Sequence, residues 1–282
     1  MPAISARLTR REVAVGGLSF AGVFALVTGA GAWNTRAVSD PAVTVLGAGD
    51  RLSMLVTDGP ARLLIAAGSD TSAFGNAWAQ ALPPLIRRVD VLFYSTDDRD
   101  AAVTSKALRD TRPRYSFPLA HPDSDREQSV ARWERAVSLS EKTVVSLTVS
   151  NVASGQSEPQ PPMWTATIAH QQTRVVFLSE PSAASLASKE PISALVVSRG
   201  APDKIAVSAA VIRPRAVVAN AESANGRDLR QHLTKVVEEG IWTLGVHPGE
   251  IARLEFVAGG LRLPTSAIQI RASATPKADA AS

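Results

Sequence analysis

Cysteine is absent from the chain. Disulfides and thiolate metal sites are therefore excluded, and no redox argument for the compartment can be made. Histidine is scarce. The four residues, His121, His170, His232 and His247, are widely spaced and form no H-x-H or H-x-x-x-H pair, so they lack the clustering a zinc hydrolase needs to acidify a bound water. Each is expected in a surface or locally hydrogen-bonded role. No G-x-S-x-G elbow occurs beyond the N-terminal region, which leaves a serine nucleophile without a recognisable context. Gly47-Ala48-Gly49 is a lone G-x-G with Leu52 where a dinucleotide fingerprint needs its last glycine, and that excludes a Rossmann reading.

A strong excess of one charge is also missing. The 30 Lys+Arg and 26 Asp+Glu leave a net +4, part of it in Arg7, Arg10 and Arg11. From Arg87 to Arg135 ten basic residues are interleaved with nine acidic ones. This reads as a solvated mixed-charge face unless folding segregates the two signs, so nucleic acid is a possible partner that the charge distribution does not support. Aromatic residues make up 5%, and Trp78, Trp133, Trp164 and Trp242 lie in apolar periodic contexts expected to be core.

What is present begins at the N-terminus. Thr9-Arg10-Arg11-Glu12 precedes an uncharged, Gly- and Ala-rich stretch from Val13 to Ala32 that ends in Ala30-Gly31-Ala32. Arg10 and Arg11 ahead of weak hydrophobicity match a twin-arginine export signal, with the export machinery as the implied partner. Residues 1–32 are read as that signal, cleaved near Trp33, or as a retained membrane anchor, since about 20 apolar residues also span a bilayer. Either reading places the rest outside the cytoplasm. Residues 33–41 form a connector, 42–270 a folded domain and 271–282 a disordered tail.

Within the domain, strands at Val43–Leu46, Leu52–Val56 and Ala61–Ala67 form a meander around the Asp58-Gly59-Pro60 turn. Alternating elements follow: a helix over Phe74–Arg88 interrupted at Pro83-Pro84, a strand over Val89–Ser95, a helix over Val103–Arg109, a strand over Arg114–Leu119 and a helix over Glu127–Leu139. After a strand at Thr143–Val149, the Ser/Gly/Pro-rich stretch 150–162 precedes a hairpin, Trp164–Ala169 with Arg174–Leu178. A short helix is expected near Ala183. Strands Ala194–Val197 and Ala216–Ala219 flank another helix, and Leu229, Leu233, Val236 and Val237 give an amphipathic helix closed by Gly240. Strands at Ile241–Val246, Ile251–Val257 and Leu261 complete the pattern. Two halves that each open with hairpin strands suggest an α/β (α+β) fold, an αββα sandwich of two mixed sheets with outer helices.

The order of short motifs from Val43 to Leu263 resembles the ComEC-type metallo-β-lactamase-fold domain. That family opens with D-V-G-Q-G-D, and Val45-Leu46-Gly47-Ala48-Gly49-Asp50 retains the turn residues Gly47, Gly49 and Asp50. Leu63-Leu64-Ile65-Ala66-Ala67-Gly68 stands where the family has L-I-D-x-G, without its acid. At the diagnostic T-H-x-D-x-D-H the chain reads Ser95-Thr96-Asp97-Asp98-Arg99-Asp100-Ala101. Thr96 and Ala101 replace histidines, while Asp98 and Asp100 keep the aspartate positions. Glu180 takes the place of the T-G-D aspartate, Ser198 and Arg199 fall in the P-H-H-G-S segment, and Arg227 stands for the G-H-P histidine.

The resemblance therefore implies the fold, with a degenerate site that holds no metal and catalyses nothing. Thr96, Asp98, Asp100, Ala101, Glu180, Ser198, Arg199 and Arg227 make up this former metal site, in which Arg199, Arg227 or both are expected to neutralise Asp98, Asp100 and Glu180. The resulting picture is an exported binding or scaffolding module at the outer membrane face, with an unknown ligand or protein partner and the membrane itself if the anchor is retained. The alternative is a metal-dependent hydrolase or nuclease of phosphodiesterase type, with Mg or Ca held by Asp98, Asp100 and Glu180.

Overall fold

A computed structural model describes residues 40–82, 88–119, 132–150, 163–181, 191–221, 226–236 and 240–270. The proposed signal or anchor, the tail and the helix expected near Ala183 lie outside these residues. The first sheet is built from β1 (Ala42–Gly47), β2 (Leu52–Asp58), β3 (Ala61–Ala66), β4 (Val91–Tyr94), β5 (Tyr115–Pro118), β13 (Ile251–Val257) and β14 (Gly260–Arg262). Its order is β14-β13-β1-β2-β3-β4-β5. The second contains β6 (Arg132–Ser138), β7 (Thr143–Ser150), β8 (Met163–His170), β9 (Thr173–Leu178), β10 (Ala194–Val197), β11 (Ala216–Asn220), β12 (Ile241–Val246) and β15 (Ile268–Ile270). Its order is β15-β12-β11-β10-β9-β8-β7-β6.

Alternating side chains explain the layers. Val43, Val45, Met54, Val56, Leu63 and Ile65 from the first sheet form one buried cluster with Val145, Leu147, Ile168, Phe177, Val196 and Val218 from the second, so the sheets pack face to face. On the outer side of the first sheet, Leu46, Leu55, Leu64 and Leu92 pack against helices α1 (Thr71–Ala81) and α2 (Ala101–Thr111) through Phe74, Trp78, Val103 and Ala107. Outside the second sheet, Val176, Leu195 and Val217 meet α3 (Pro202–Ile212) and α4 (Gly226–Val236) through Ile205, Ala209, Leu229 and Leu233. The expected αββα sandwich is the fold that forms.

Three local expectations are corrected. Within the segment expected as a helix over 127–139, residues Arg132–Ser138 form β6, pairing with β7 from Arg132↔Ser150 to Ser138↔Val144. Cross-strand pairing at a sheet edge outweighs a weak helical period. The first helix begins earlier than expected, capped by Asp70, whose side chain accepts from the Ser72 and Ala73 N–H groups, and it ends at Leu82 because Pro83 disfavours helix in the residue before it. Trp242, expected in the core, is 38% exposed, since β12 lies beside the short edge strand β15.

Strand directions give the sandwich two distinct ends. β1, β3, β4 and β5 run the same way, as do β9 to β12. The Leu52 N–H, at the apical end of the first sheet, donates to Ser198 Oγ just beyond β10. The Thr143 hydroxyl, in the second sheet, donates to Asp58 Oδ2 at the opposite, basal end of β2. Both sheets therefore have their parallel strands ending apically and starting basally.

Candidate functional site: a buried arginine between two aspartates

Strand termini from both sheets converge at the apical end. After β1 the chain turns through Gly47-Ala48-Gly49-Asp50, and both glycines are required there. A Cβ on Gly47 would lie 2.0 Å from the His247 carbonyl oxygen, and Gly49 adopts φ +90°, which favours a residue without a side chain. The turn is tied to the second sheet by Asn220, whose Nδ2 donates to the Gly49 carbonyl at 2.7 Å. Ser198 Oγ holds it as well, accepting from Leu52 N–H and donating to Leu52 C=O, each at 3.0 Å. Asp50 accepts from the Ser69 hydroxyl at 2.5 Å.

This anchored turn delivers Arg51 into the site. Its Nη2 lies 2.5 Å from Asp97 Oδ2 and its Nη1 2.7 Å from Asp100 Oδ2, so one planar fork spans two carboxylates. Asp100 is fully buried, and its other oxygen accepts the Gly68 N–H at 2.8 Å. Asp97 caps the short 3₁₀ turn Asp98–Asp100, accepting the Arg99 N–H at 3.1 Å. Burial opposes charge on Arg51, but Asp100 and Asp97 outweigh it and hold the guanidinium more basic than usual. Burial likewise opposes charge on Asp97, yet the Arg99 N–H and Arg51 keep its carboxyl below the ordinary aspartate range.

The residues that motif order assigns to a former metal site are distributed differently from that order. Asp100 points inward and Ser198 is buried in its structural role. Thr96, Asp98, Ala101 and Glu180 are exposed, and Arg199 is half-buried. The sequence reading assigned neutralisation to Arg199 and Arg227. The ion pairs formed by the apical carboxylates are instead with Arg51, and Arg199 forms none with Asp97, Asp98, Asp100 or Glu180 among the described residues. Arg227 falls in the first turn of α4 at a position whose side chain lies outside the described residues. Arg51 was missed, although it directly follows the Gly49-Asp50 turn and is the only charge between that turn and the buried strand β2.

The donor set does not fit a divalent cation. Asp100 already uses one oxygen on a backbone N–H and the other on Arg51, while Asp97 is likewise shared between Arg99 N–H and Arg51. Asp98 and Glu180, the other two oxygen ligands of the Mg or Ca alternative, face solvent. Among the described residues no group of three or more His, Asp or Glu side chains is arranged to hold a metal. Of the histidines, His247 is exposed, His232 Nδ1 contacts the Asp228 carbonyl oxygen at 2.8 Å, and His121 lies outside the described residues.

His170 is placed at the basal end, where its Nδ1 lies 2.7 Å from Thr143 Oγ1 and its ring stacks on Phe256. A carboxylate cannot donate, so the Thr143 proton goes to Asp58 at 2.6 Å and His170 Nδ1–H donates to Thr143. Ser140 also donates to Asp58. Burial lowers the basicity of His170, partly offset by Asp58 and reinforced by Lys142. This chain of bonds ties the first sheet to two turns of the second.

No protein-family model matches the chain, and no curated protein matches it. Among solved structures it is similar to a protein assigned as a metal-dependent hydrolase from Parabacteroides distasonis, with TM-score 0.44 and 9% identity over 74% of this chain and 94% of that one. It is also similar to the Rm3 metallo-β-lactamase, with TM-score 0.37 and 16% identity over 68% of this chain and 87% of that one.

Proposed function

We propose that the chain is an exported, non-catalytic metallo-β-lactamase-like protein of ComEC type that acts as a binding or scaffolding module at the outer face of the membrane. The observation that carries the non-catalytic reading is the Arg51 bridge between Asp97 and Asp100. The Arg51 guanidinium lies against Asp100, which holds an aspartate position of the metal-binding motif in the family resemblance. A fixed organic cation balances the buried carboxylate but offers no open coordination position, so it cannot turn water into a nucleophile. What remains is a rigid apical face, held by Ser198 and Asn220. The Arg10-Arg11 pair ahead of the uncharged stretch supports export through the twin-arginine route.

Metal analysis of the purified chain, combined with assays on phosphodiester, carboxylic ester and β-lactam substrates, tests the reading. It expects no stoichiometric metal and no turnover that a chelator abolishes. Tightly bound metal together with chelator-sensitive turnover would overturn it. For export, changing Arg10 and Arg11 to Lys should block translocation; a double variant that crosses at the normal rate rejects the twin-arginine assignment.

A further inference from the structure

Among the described residues 88–119, folding segregates charges that the sequence interleaves. Asp97 and Asp100 are drawn to the apical ends of the strands and joined to Arg51, and Asp98 stays at that end. Helix α2 then carries the chain back, so Arg112 and Arg114 emerge at the basal start of β5. There the Arg114 N–H donates to the Val89 carbonyl, which puts both beside Arg88. All three arginines are exposed, and none forms an ion pair among the described residues. At the basal start of β11 in the second sheet, Arg213 and Arg215 are exposed in the same way.

The acids at this end are mostly engaged. Asp58 accepts from Ser140 and Thr143, Asp90 accepts the Arg62 N–H, Asp110 pairs with Lys106, and Glu255 pairs with Arg253 and Arg262. Asp40 and Glu141 are exposed, as is Lys142, so among the described residues the balance is basic. Two aromatic side chains share the end. Tyr115 is 51% exposed with Arg114 over its ring, and Trp242 is 38% exposed at the basal start of β12.

The chain also enters the fold here. Ala42 registers with Thr57, and Thr57 with Arg62. The Arg62 N–H donates to Asp90, whose carbonyl accepts the Tyr115 N–H. One row thus runs across five neighbouring strands, and at about 4.8 Å per strand the point of entry lies roughly 20 Å from the arginines. The uncharged stretch Val13–Ala32 ends ten residues before Ala42, a connector short enough to hold this end near a bilayer.

We propose that the basal end is a membrane-facing surface, in which Arg88, Arg112, Arg114, Arg213 and Arg215 bind anionic phospholipid headgroups while Tyr115 and Trp242 sit at the interface. Arginine clusters next to an anchor gain affinity from the negative surface potential, and Tyr and Trp favour the headgroup level. The inference deepens the reading of a module held at the membrane, and it turns the Arg51 face toward solvent, where a partner would meet it.

The absence of cysteine permits single-site labelling. Full chain carrying Ser116→Cys (basal) or Ser72→Cys (apical) is reconstituted into vesicles of phosphatidylcholine with or without phosphatidylglycerol, with a headgroup quencher. The basal label should be quenched only in anionic vesicles, less so at high salt, and the apical label in neither. Changing Arg88, Arg112 and Arg114 to Glu should shift the docked population by at least about a hundredfold, at about fivefold per arginine. Equal quenching at both sites, indifference to lipid charge, or a duplex-DNA mobility shift lost in the same triple variant with no lipid effect would overturn the proposal. The mass of the chain recovered from cells tests the anchor separately. If processing has removed the apolar stretch, the anchor reading fails. The processed chain should then still float with anionic vesicles and lose that ability in the triple variant, and failure to float overturns the basal surface itself.

Discussion

At the apical end of the sandwich two carboxylates and a guanidinium are withdrawn from water and joined, whereas at the basal end Arg88, Arg112, Arg114, Arg213 and Arg215 stand in solvent and form no ion pair among the described residues. The contrast separates two uses of charge. Burying Arg51, Asp97 and Asp100 is tolerable only because each desolvated group meets another, and losing any one leaves an uncompensated charge. The basal arginines need no such match and contribute little to stability. Their positions are not even conformationally favourable, since Arg112 and Arg213 take left-handed φ values of 43° and 53°, where glycine is the usual helix terminator.

The comparison is broken most severely by Arg51→Ala. It should destabilise the fold by about 3 to 5 kcal/mol in denaturant titrations, because Asp100 is left charged and fully buried. Adding Asp97→Asn and Asp100→Asn to that variant should restore part of the loss, which separates a charge effect from a packing one. If the single and triple variants melt alike, the ion pair is not what holds the apical turn.

A smaller effect is expected from pH, and it differs between the ends. Asp97 has a depressed pKa, so its contribution is fully present above the ordinary aspartate value of about 3.9 and is lost as pH falls through the lower folded value. His170 is also depressed. Its neutral form is favoured by folding, so stability is retained above about 6.5 and declines as pH falls from there toward the folded pKa. Melting temperatures from pH 8 to 5 should thus fall gently in the natural protein and lose that slope in His170→Gln, whereas Asp97→Asn should lower the melting temperature across this range without changing its slope and flatten the acid limb below about pH 4. A slope that survives in His170→Gln would remove the histidine from the account.

Arg112→Gly is the mildest change. Relieving left-handed strain at the helix terminus should stabilise the fold by up to about 1 kcal/mol. The expected pairing of greater stability with weaker docking on anionic vesicles would mark an arginine kept for its surface and not for the fold. Destabilisation would show that the side chain has a structural role.

Much of this architecture is legible in the sequence because local signals agree with the tertiary outcome. The Asp58-Gly59-Pro60 turn, the apolar alternation of β1 to β3 and the His170-Gln171-Gln172-Thr173 hairpin each specify one pairing. Residues 132–138 do not, since Trp133 and Val137 suit a helix face and only an available sheet edge decides for β6. The site was legible in part. Motif order drew attention to Asp100 and Ser198, both of which lie at the apical end. The cation that closes the site was not legible, because Arg51 lies about 50 residues from its partners and the pairing depends on how a turn is pinned by Ser198 and Asn220 across the two sheets. Charge segregation is hidden for the same reason: α2 reverses the chain, and linear spacing carries no record of which end each residue reaches.

The central claim is that Arg51 stands in place of a metal cation, and thermal unfolding of the natural protein and of Arg51→Ser in matched titrations with Mg²⁺, Ca²⁺, Mn²⁺ and Zn²⁺ tests it most directly. The natural protein should melt at the same temperature with cation or chelator. Arg51→Ser should melt lower without metal and recover part of the difference as a divalent cation enters the space between Asp97 and Asp100. A natural protein that gains stability from stoichiometric metal, or an Arg51→Ser variant that loses none, would contradict the account.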